Sequence, residues 1–422
     1  MTGWTPAMMW ARRGPRLLLL HLLAFRDNNE LMKFAQRMFR LGTETAFEVL
    51  ARARQLESQG RRMVHLQIGE PDFNTPDHIV EAAIKALREG WHHYSPSAGL
   101  LPLRQAIAED VSATRGIAVD PDQVVVTPGG KPIIFFTLLA LVEAGDEVIY
   151  PNPGFPIYES MIRFTGGTPV PAPLREELDF RMDVDEVLRL ISNRTKMIIL
   201  NSPNNPTGSV LSPSDLERLA AGVSRTGVTL FSDEIYRRIV YEGDAPSIAS
   251  VRNLQGRTVI LDGFSKTYAM TGWRLGYGVF PSAALAAHIT RLMVNSNSCT
   301  AAFTQLAGIA AIKGDQTPCQ KMVETFHTRR DRVVQLLNQI PGVSCRAPRG
   351  AFYVFPNVSL FGRKSDELAG MLLNEAGVAV LSGAAFGQYG EGYLRLSYAT
   401  SIELLEEGIG KMAEALGKLD RC

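Results

Sequence analysis

Residues 261–276 read LDGFSKTYAMTGWRLG. The apolar run Thr258 to Leu261 leads into Phe264, Ser265 and Lys266, so the lysine stands at the exit of a predicted buried strand, with Arg274 shortly after it. A free lysine amine has a pKa of about 10.4, and low dielectric or a nearby cation lowers that value. An amine tuned in this way condenses with carbonyl compounds. Arg274 supplies both a nearby cation and a two-pronged grip for phosphate. A lysine that merely ends a strand and points into water has the same local signature, so the rest of the chain decides between the two.

Upstream, the same joint recurs. A predicted strand at Gln123 to Val126 runs into TPGGKPIIFFTLLALV, where Gly129 and Gly130 precede Lys131, Pro132 and an apolar helix. Proline suits the first helical turn, and glycines leave backbone N–H groups free to face an anion. Further predicted strands at Glu147 to Tyr150, Lys196 to Leu200, Thr229 to Ser232 and Thr258 to Gly263 are interspersed with helices near Phe155 to Phe164 and at Ser214 to Ser224. Such alternation requires a mainly parallel sheet covered on both faces, whose ligands lie beyond the carboxyl ends of the strands. Polar residues fall there from separate strands: Gly130 and Lys131, Asn205 in NSPNNPTG, Asp233 and Tyr236 in SDEIY, and Lys266. Their convergence predicts one site.

The flanks differ in character. Thr45 to Glu48 has the T-x-x-E form of a capping box, followed by a helical apolar face of Val49, Leu50, Ala53 and Leu56. VHLQIGEPDF alternates as a strand until Gly69 and Pro71, a helix spans Pro76 to Arg88, and Tyr94 lies in the loop WHHYSPSAG before a helix near Pro102. Beyond Ala283 come two long helical patterns, the second carrying Arg329, Arg330 and Arg332, which read as a solvated face. The strands GAFYVFP, VAVLSG and YLRLSY come next, then a last helix from Ile402 to Leu419. The fold class predicted is therefore α/β: a large domain over 76–312 with a mainly parallel, mixed sheet flanked by helices, and a smaller α+β domain formed by 32–75 and 313–422.

Lys and Arg number 44 against 43 Asp and Glu, a net charge of +1 over 422 residues, which makes no electrostatic case for nucleic acid or an anionic membrane as partner. Cys299, Cys319, Cys345 and Cys422 show no metal-ligand spacing, and a reducing, cytoplasmic location with no metal is expected. Residues 1–31 stand apart: Arg12, Arg13 and Arg16 precede LLLLHLLAF at Leu17 to Phe25, a run too short to span a bilayer. They read as a disordered or extraneous extension, with Met32 as an alternative start. The extension holds no helix-turn-helix pattern, which weighs against a DNA-binding regulator.

An amine, a carboxylate, a phenol, an amide, an anion cradle and an arginine suit a cofactor with an aldehyde, a phosphate and a ring nitrogen. Lys266 would meet the aldehyde and Asp233 would keep the ring nitrogen protonated. Tyr236 and Asn205 would hydrogen-bond the phenolic oxygen, the backbone at Gly130 and Lys131, with Arg274, would hold the phosphate, and Phe155 would stack on the ring. The stretches IGEPDFNTP, TPGGK, NSPNNPTG, SDEIY, FSKTYAMTGWRLGY and YLRLSYA, in that order from about Thr43 to the C-terminus, resemble the fold-type I, class I aminotransferases that use pyridoxal 5'-phosphate, in the branch of bacterial aspartate and related aminotransferases.

The resemblance implies a homodimer with shared active sites, in which Tyr94 reaches the neighbour's phosphate. It implies that Arg395 binds the substrate α-carboxylate, with Asn205 and the Gly69 backbone assisting, and that Lys131 meets a distal carboxylate, as in some relatives. It implies ping-pong transfer from an L-amino acid, aspartate-like or broad in range, to a 2-oxo acid such as 2-oxoglutarate. Neutral or aromatic donors, or lyase chemistry on the same fold, are the alternatives. The chain departs from the pattern at Gly263, where many relatives carry a phosphate-binding serine that Ser265 would replace, and at Phe155, where aspartate aminotransferases usually have tryptophan. Glu44 falls in the segment that often closes over substrate, where it would repel an acidic side chain. The Asn205–Pro206 bond is a candidate for cis.

Overall fold

The structure, a computed structural model, describes residues 33–420; the predicted extension at 1–31 lies outside them. The chain divides between Phe39 and Arg40, and every sheet among the described residues belongs to the second unit. Its strands are β1 (Val64–His65), β2 (Val124–Thr127), β3 (Glu147–Asn152), β4 (Thr168–Pro173), β5 (Thr195–Asn201), β6 (Thr229–Asp233), β7 (Thr258–Gly263), β8 (Gly276–Val279), β9 (Tyr353–Val354), β10 (Val378–Ala379), β11 (Leu381–Ser382) and β12 (Leu394–Ser397).

Seven strands form the main sheet in the order β2-β8-β7-β6-β5-β3-β4. β8 runs antiparallel to both its neighbours and every other pair is parallel, so the sheet is mixed but mainly parallel. Side chains on a strand alternate between faces, and here both faces are apolar. Val125, Met197 and Ile199 pack in one layer with Ile133, Phe136 and Tyr158. Val124 and Val126 face the opposite side with Leu103 and Ile107, and Ile198 and Leu200 do so with Leu216 and Leu219. Burial on both faces explains why these strands read as unbroken apolar runs.

β8 carries no such run. Its sequence, GYGV, hides it because glycine dilutes the strand signal. A Cβ at Gly276 would lie 2.5 Å from the carbonyl carbon of Gly129, so the glycine lets the loop before Lys131 cross the strand at backbone distance. Elsewhere the chain crosses itself at long range. β1 pairs in parallel with β10, the β11-β12-β9 sheet is antiparallel, and the Ser397 amide donates to the Leu66 carbonyl. These bonds carry Gln67 and Gly69 toward the end of the main sheet.

Two local expectations fail. Thr45 and Glu48 make no capping box: Glu44 is the N-cap of helix Thr45–Ser58, no side chain caps it, and the Glu44 carboxylate turns instead to Lys131. Arg329 and Arg330 are buried rather than solvated. Arg329 grips both oxygens of Asp72 at 2.7 and 2.9 Å, and Arg330 lies over the Tyr241 ring. Only Arg332 remains half-exposed. Helical periodicity records which residues share a face, not which distant carboxylate or ring meets them.

Behind the carboxyl ends of β6 and β7 lies a buried charge cluster. Arg115, the last residue of helix Leu101–Arg115, donates through Nε to Glu234 at 3.0 Å and through Nη2 to Asp262 at 2.5 Å, with no side-chain exposure. Ser232 and Ser247 donate to the other oxygen of Glu234, and Tyr277 donates to Asp262. Replacing Arg115→Met would leave buried Asp262 without its cation and Glu234 with only Arg237, 4.0 Å away, and should cost about 3–5 kcal/mol. Urea unfolding measures this; a loss below about 0.5 kcal/mol, the scale of a neutral surface change, would show that the cluster is not stabilising.

Candidate active site

A cleft of about 520 Å³ opens at the carboxyl ends of β5, β6 and β7. Its wall includes Gly69, Gly130, Lys131, Phe155, Asn205, Asp233, Tyr236, Ser265, Lys266, Arg274 and Arg395, so residues far apart in the chain meet around one space. Tyr94 is not among them; it is 90% exposed, away from this wall.

Lys266 follows β7 in a turn whose neighbours Phe264 and Met270 are buried. Its Nζ donates to the Gly69 carbonyl and stands 5.9 and 5.7 Å from the ring centres of Tyr236 and Phe352. Desolvation lowers the pKa of this amine to about 8, with Arg395 and Arg274 acting the same way against Glu70 and Glu44. A neutral fraction near one half at that pH is what a nucleophilic amine needs.

Asp233 ends β6 and is buried. Tyr158 donates to its Oδ2 at 2.6 Å and the Ile235 amide to its Oδ1 at 3.2 Å. Burial raises its pKa to about 6, with Asp262 and Glu234 adding to the rise and Tyr158 opposing it. A cationic N–H brought against this carboxylate would return it to the ionised form. Tyr158 has no marker in the sequence that separates it from a core aromatic. Its only hint is a place three residues after Phe155, whose ring it meets edge-on at 5.7 Å.

The loop after β5 is tied back by Asn201, which accepts from the Asn205 amide at 2.9 Å and donates to the Asp233 carbonyl at 3.3 Å. The Asn205–Pro206 bond is cis, as are Ser202–Pro203 and Asn152–Pro153. The Asn205 side-chain oxygen accepts from Arg395 Nη1 at 3.2 Å, and Arg395 Nη2 donates to the Gln67 carbonyl. The guanidinium is buried over Tyr353, 4.5 Å from the ring centre, and burial lowers its pKa. Among the described residues, Arg395 Nε and the Gln67 side-chain oxygen have no hydrogen-bond partner. An unmet N–H on a buried guanidinium is a donor suited to an anion.

Tyr236 and Tyr353 share a hydroxyl–hydroxyl hydrogen bond of 2.6 Å. Tyr353 presses on Gly69, where a Cβ would lie 2.0 Å from its hydroxyl oxygen, so any larger residue there would displace the ring. At the other end of the cleft, helix Lys131–Leu141 begins at Gly130 without a capping side chain. Arg274 lies beside it, exposed, in the left-handed region at φ 54°, its Nη1 donating to the Thr271 carbonyl at 2.7 Å. A Cβ at Gly129 would lie 2.1 Å from Arg274 Nη2, so glycine lets the guanidinium reach the helix start. Free helix N–H groups and a guanidinium together make an anion cradle. Ser265 lines the cleft and Gly263 does not; a Cβ at Gly263 would sit 3.0 Å from the Gly276 Cα. Lys131 sends its Nζ to Glu44 at 2.6 Å, near the faces of Phe155 and Phe47.

Residues 61–412 match the family described as aminotransferase class I and II. The chain is 39% identical to the aspartate aminotransferase of Pyrococcus horikoshii over 384 residues, 90% of this chain and 97% of that one. It is 40% identical to aromatic-amino-acid aminotransferase 2 of Thermococcus litoralis over 358 residues, 84% of this chain and 92% of that one. Its fold matches the crystal structure of the aspartate aminotransferase from Rhizobium meliloti with a TM-score of 0.88 at 34% identity, covering 92% of this chain and 100% of that one. The chain belongs to the class I and II aminotransferases: it is an enzyme that transfers amino groups.

In protein stripped of small molecules, the reaction of Lys266 with an amine-directed reagent should reach half its maximal rate near pH 8. A midpoint above about 9.5, closer to that of a free lysine, would contradict the electrostatics of the cleft; Lys266→Ala provides the blank. Because the folded pKa lies below the unfolded one, the unfolded chain binds the extra proton between about 8 and 10.4, and this group's contribution makes stability rise with pH across that window.

Proposed function

We propose that the cleft binds pyridoxal 5'-phosphate and that the enzyme moves the amino group of an L-amino acid to a 2-oxo acid such as 2-oxoglutarate in two half-reactions. The observation that carries this reading is the juxtaposition of Lys266 and Asp233 in one cleft, an amine lowered to about 8 and a carboxylate raised to about 6. The groups present fit the coenzyme part by part. Lys266 answers its aldehyde, and Asp233 answers a protonated ring nitrogen. Tyr236 and Asn205 answer the phenolic oxygen, and Phe155 offers a flat apolar face. The backbone at Gly130 and Lys131, with Ser265 and Arg274, answers its phosphate.

When bound, the coenzyme supplies an electron sink for the charge released at Cα. The chain does the rest. Arg395, with Asn205 and the Gly69 backbone, holds the α-carboxylate and so fixes the direction of the Cα–H bond. Lys266 Nζ removes that proton as base and later delivers it as acid. Asp233, braced by Tyr158, keeps a negative charge where the ring nitrogen would carry its proton. The names of the relatives, which include aspartate and aromatic aminotransferases, support a donor range that is aspartate-like or broad.

The exposure of Tyr94, with Trp91 and Leu101 also exposed near it in the chain, supports a homodimer in which Tyr94 completes the neighbour's phosphate site. Pairing of β1 with β10 supports a smaller lobe built from 32–75 and 313–422, beside a larger one at 76–312. Unpaired Cys299, Cys319 and Cys345 support a reducing, cytoplasmic setting.

Lys266→Ala should lower turnover by about 10²–10⁴-fold or more, the range removed with a positioned acid–base group, and leave thermal unfolding close to that of the parent. Purified protein should also take up pyridoxal 5'-phosphate with a visible absorption band that the Lys266→Ala protein does not reproduce. Near-normal transamination by that variant refutes the assignment.

A further inference from the structure

The ion pair at the mouth of the cleft bears on which side chains the site accepts. Lys131 is the first residue of its helix, and its Nζ lies 2.6 Å from Glu44 Oε2. Glu44 is the less exposed partner, 15% against 46% for the lysine, and its carboxylate makes no capping bond to the helix it precedes. The residues after it, Ala46 and Phe47, line the same cleft, as does Ile68. Beside these apolar side chains stands the Lys131 ammonium, which the chain already neutralises through Glu44.

Resting on the placement of the α-carboxylate at Arg395, we propose that Glu44 is a specificity-determining residue: an internal competitor for the second carboxylate of dicarboxylate substrates at Lys131. A neutral, apolar side chain leaves the Glu44–Lys131 pair closed and lies against Ala46, Phe47 and Ile68. A dicarboxylate meets Glu44 as a like charge and reaches Lys131 only by displacing it. One site thus admits two substrate classes. Neutral and aromatic amino acids enter with the pair intact, and dicarboxylates enter at the cost of opening it.

The test is equilibrium binding of two unreactive anions, maleate and 3-phenylpropanoate, to the coenzyme-loaded enzyme by calorimetry. In Glu44→Gln the affinity for maleate relative to 3-phenylpropanoate should rise about three- to fivefold, the scale of a partly exposed ion pair at its upper end. In Lys131→Met, which leaves Glu44 facing the ligand alone, the same ratio should fall below that of the parent. A Glu44→Gln ratio within about twofold of the parent, less than the pair's expected worth, overturns the proposal, as does a Lys131→Met ratio that does not fall. If neither anion binds the parent or either variant, the α-carboxylate site at Arg395 is wrong and the proposal falls with it. Binding with an unmoved ratio removes only the role of Glu44.

Discussion

Arg115 joins two strands that have to stay in register for the site to exist. It bonds Glu234, next to Asp233 at the end of β6, and Asp262, within β7 just before the turn that carries Lys266. A buried guanidinium between two buried carboxylates is favourable only with close geometry and further hydrogen bonds. Ser232, Ser247 and Tyr277 provide them. The cluster also reaches the chemistry through space, since the charges of Asp262 and Glu234 help to hold Asp233 in its raised range.

In front of this support the cleft gathers more cations than carboxylates. Lys266, Arg274 and Arg395 look into a cleft whose carboxylates are Glu44, Glu70 and Asp233, with Glu44 taken up by Lys131, and Arg395 is buried with an unsatisfied Nε. A buried cation with an unmet N–H is costly unless an anion or another acceptor meets it. The two ends differ in construction. Arg395 lies between the Tyr353 and Phe386 rings and donates to the Gln67 carbonyl and the Asn205 side-chain oxygen, which fix the plane of its guanidinium. The far end uses a helix start, an exposed arginine and glycines that let backbone and guanidinium approach. The polarity of the cleft is thus set by groups the fold already holds in place, and a site of that kind leaves little reorganisation for a reaction within it.

Much of this site was legible in the chain because its residues lie at strand exits. Lys266 after β7, Asp233 at the end of β6 and Asn205 after β5 are found by locating apolar runs and reading the first polar residues beyond each, and a parallel sheet places those positions together. Gly130 and Lys131 are found in the same way, from a strand, a glycine pair and a proline-marked helix start. β8 escaped because glycines demanded by a crossing loop erase the alternation of a strand. The capping box at Thr45 failed for a related reason: Glu44 has a partner many residues away, and a local motif cannot register it.

The alternation of elements, the apolar cores of the strands and the identity of the strand-end groups were thus decided by local composition and order, since strand and helix periods are written in consecutive residues. The tertiary structure alone decided that Tyr158 braces Asp233, that Tyr353 closes on Gly69, that Arg329 and Arg330 are buried, and that Lys131 is met by Glu44. Each of these depends on a contact between segments far apart in the chain. Hydrogen-bond geometry and burial at such contacts are properties of the packed arrangement, and a pattern of neighbouring residues carries no record of them.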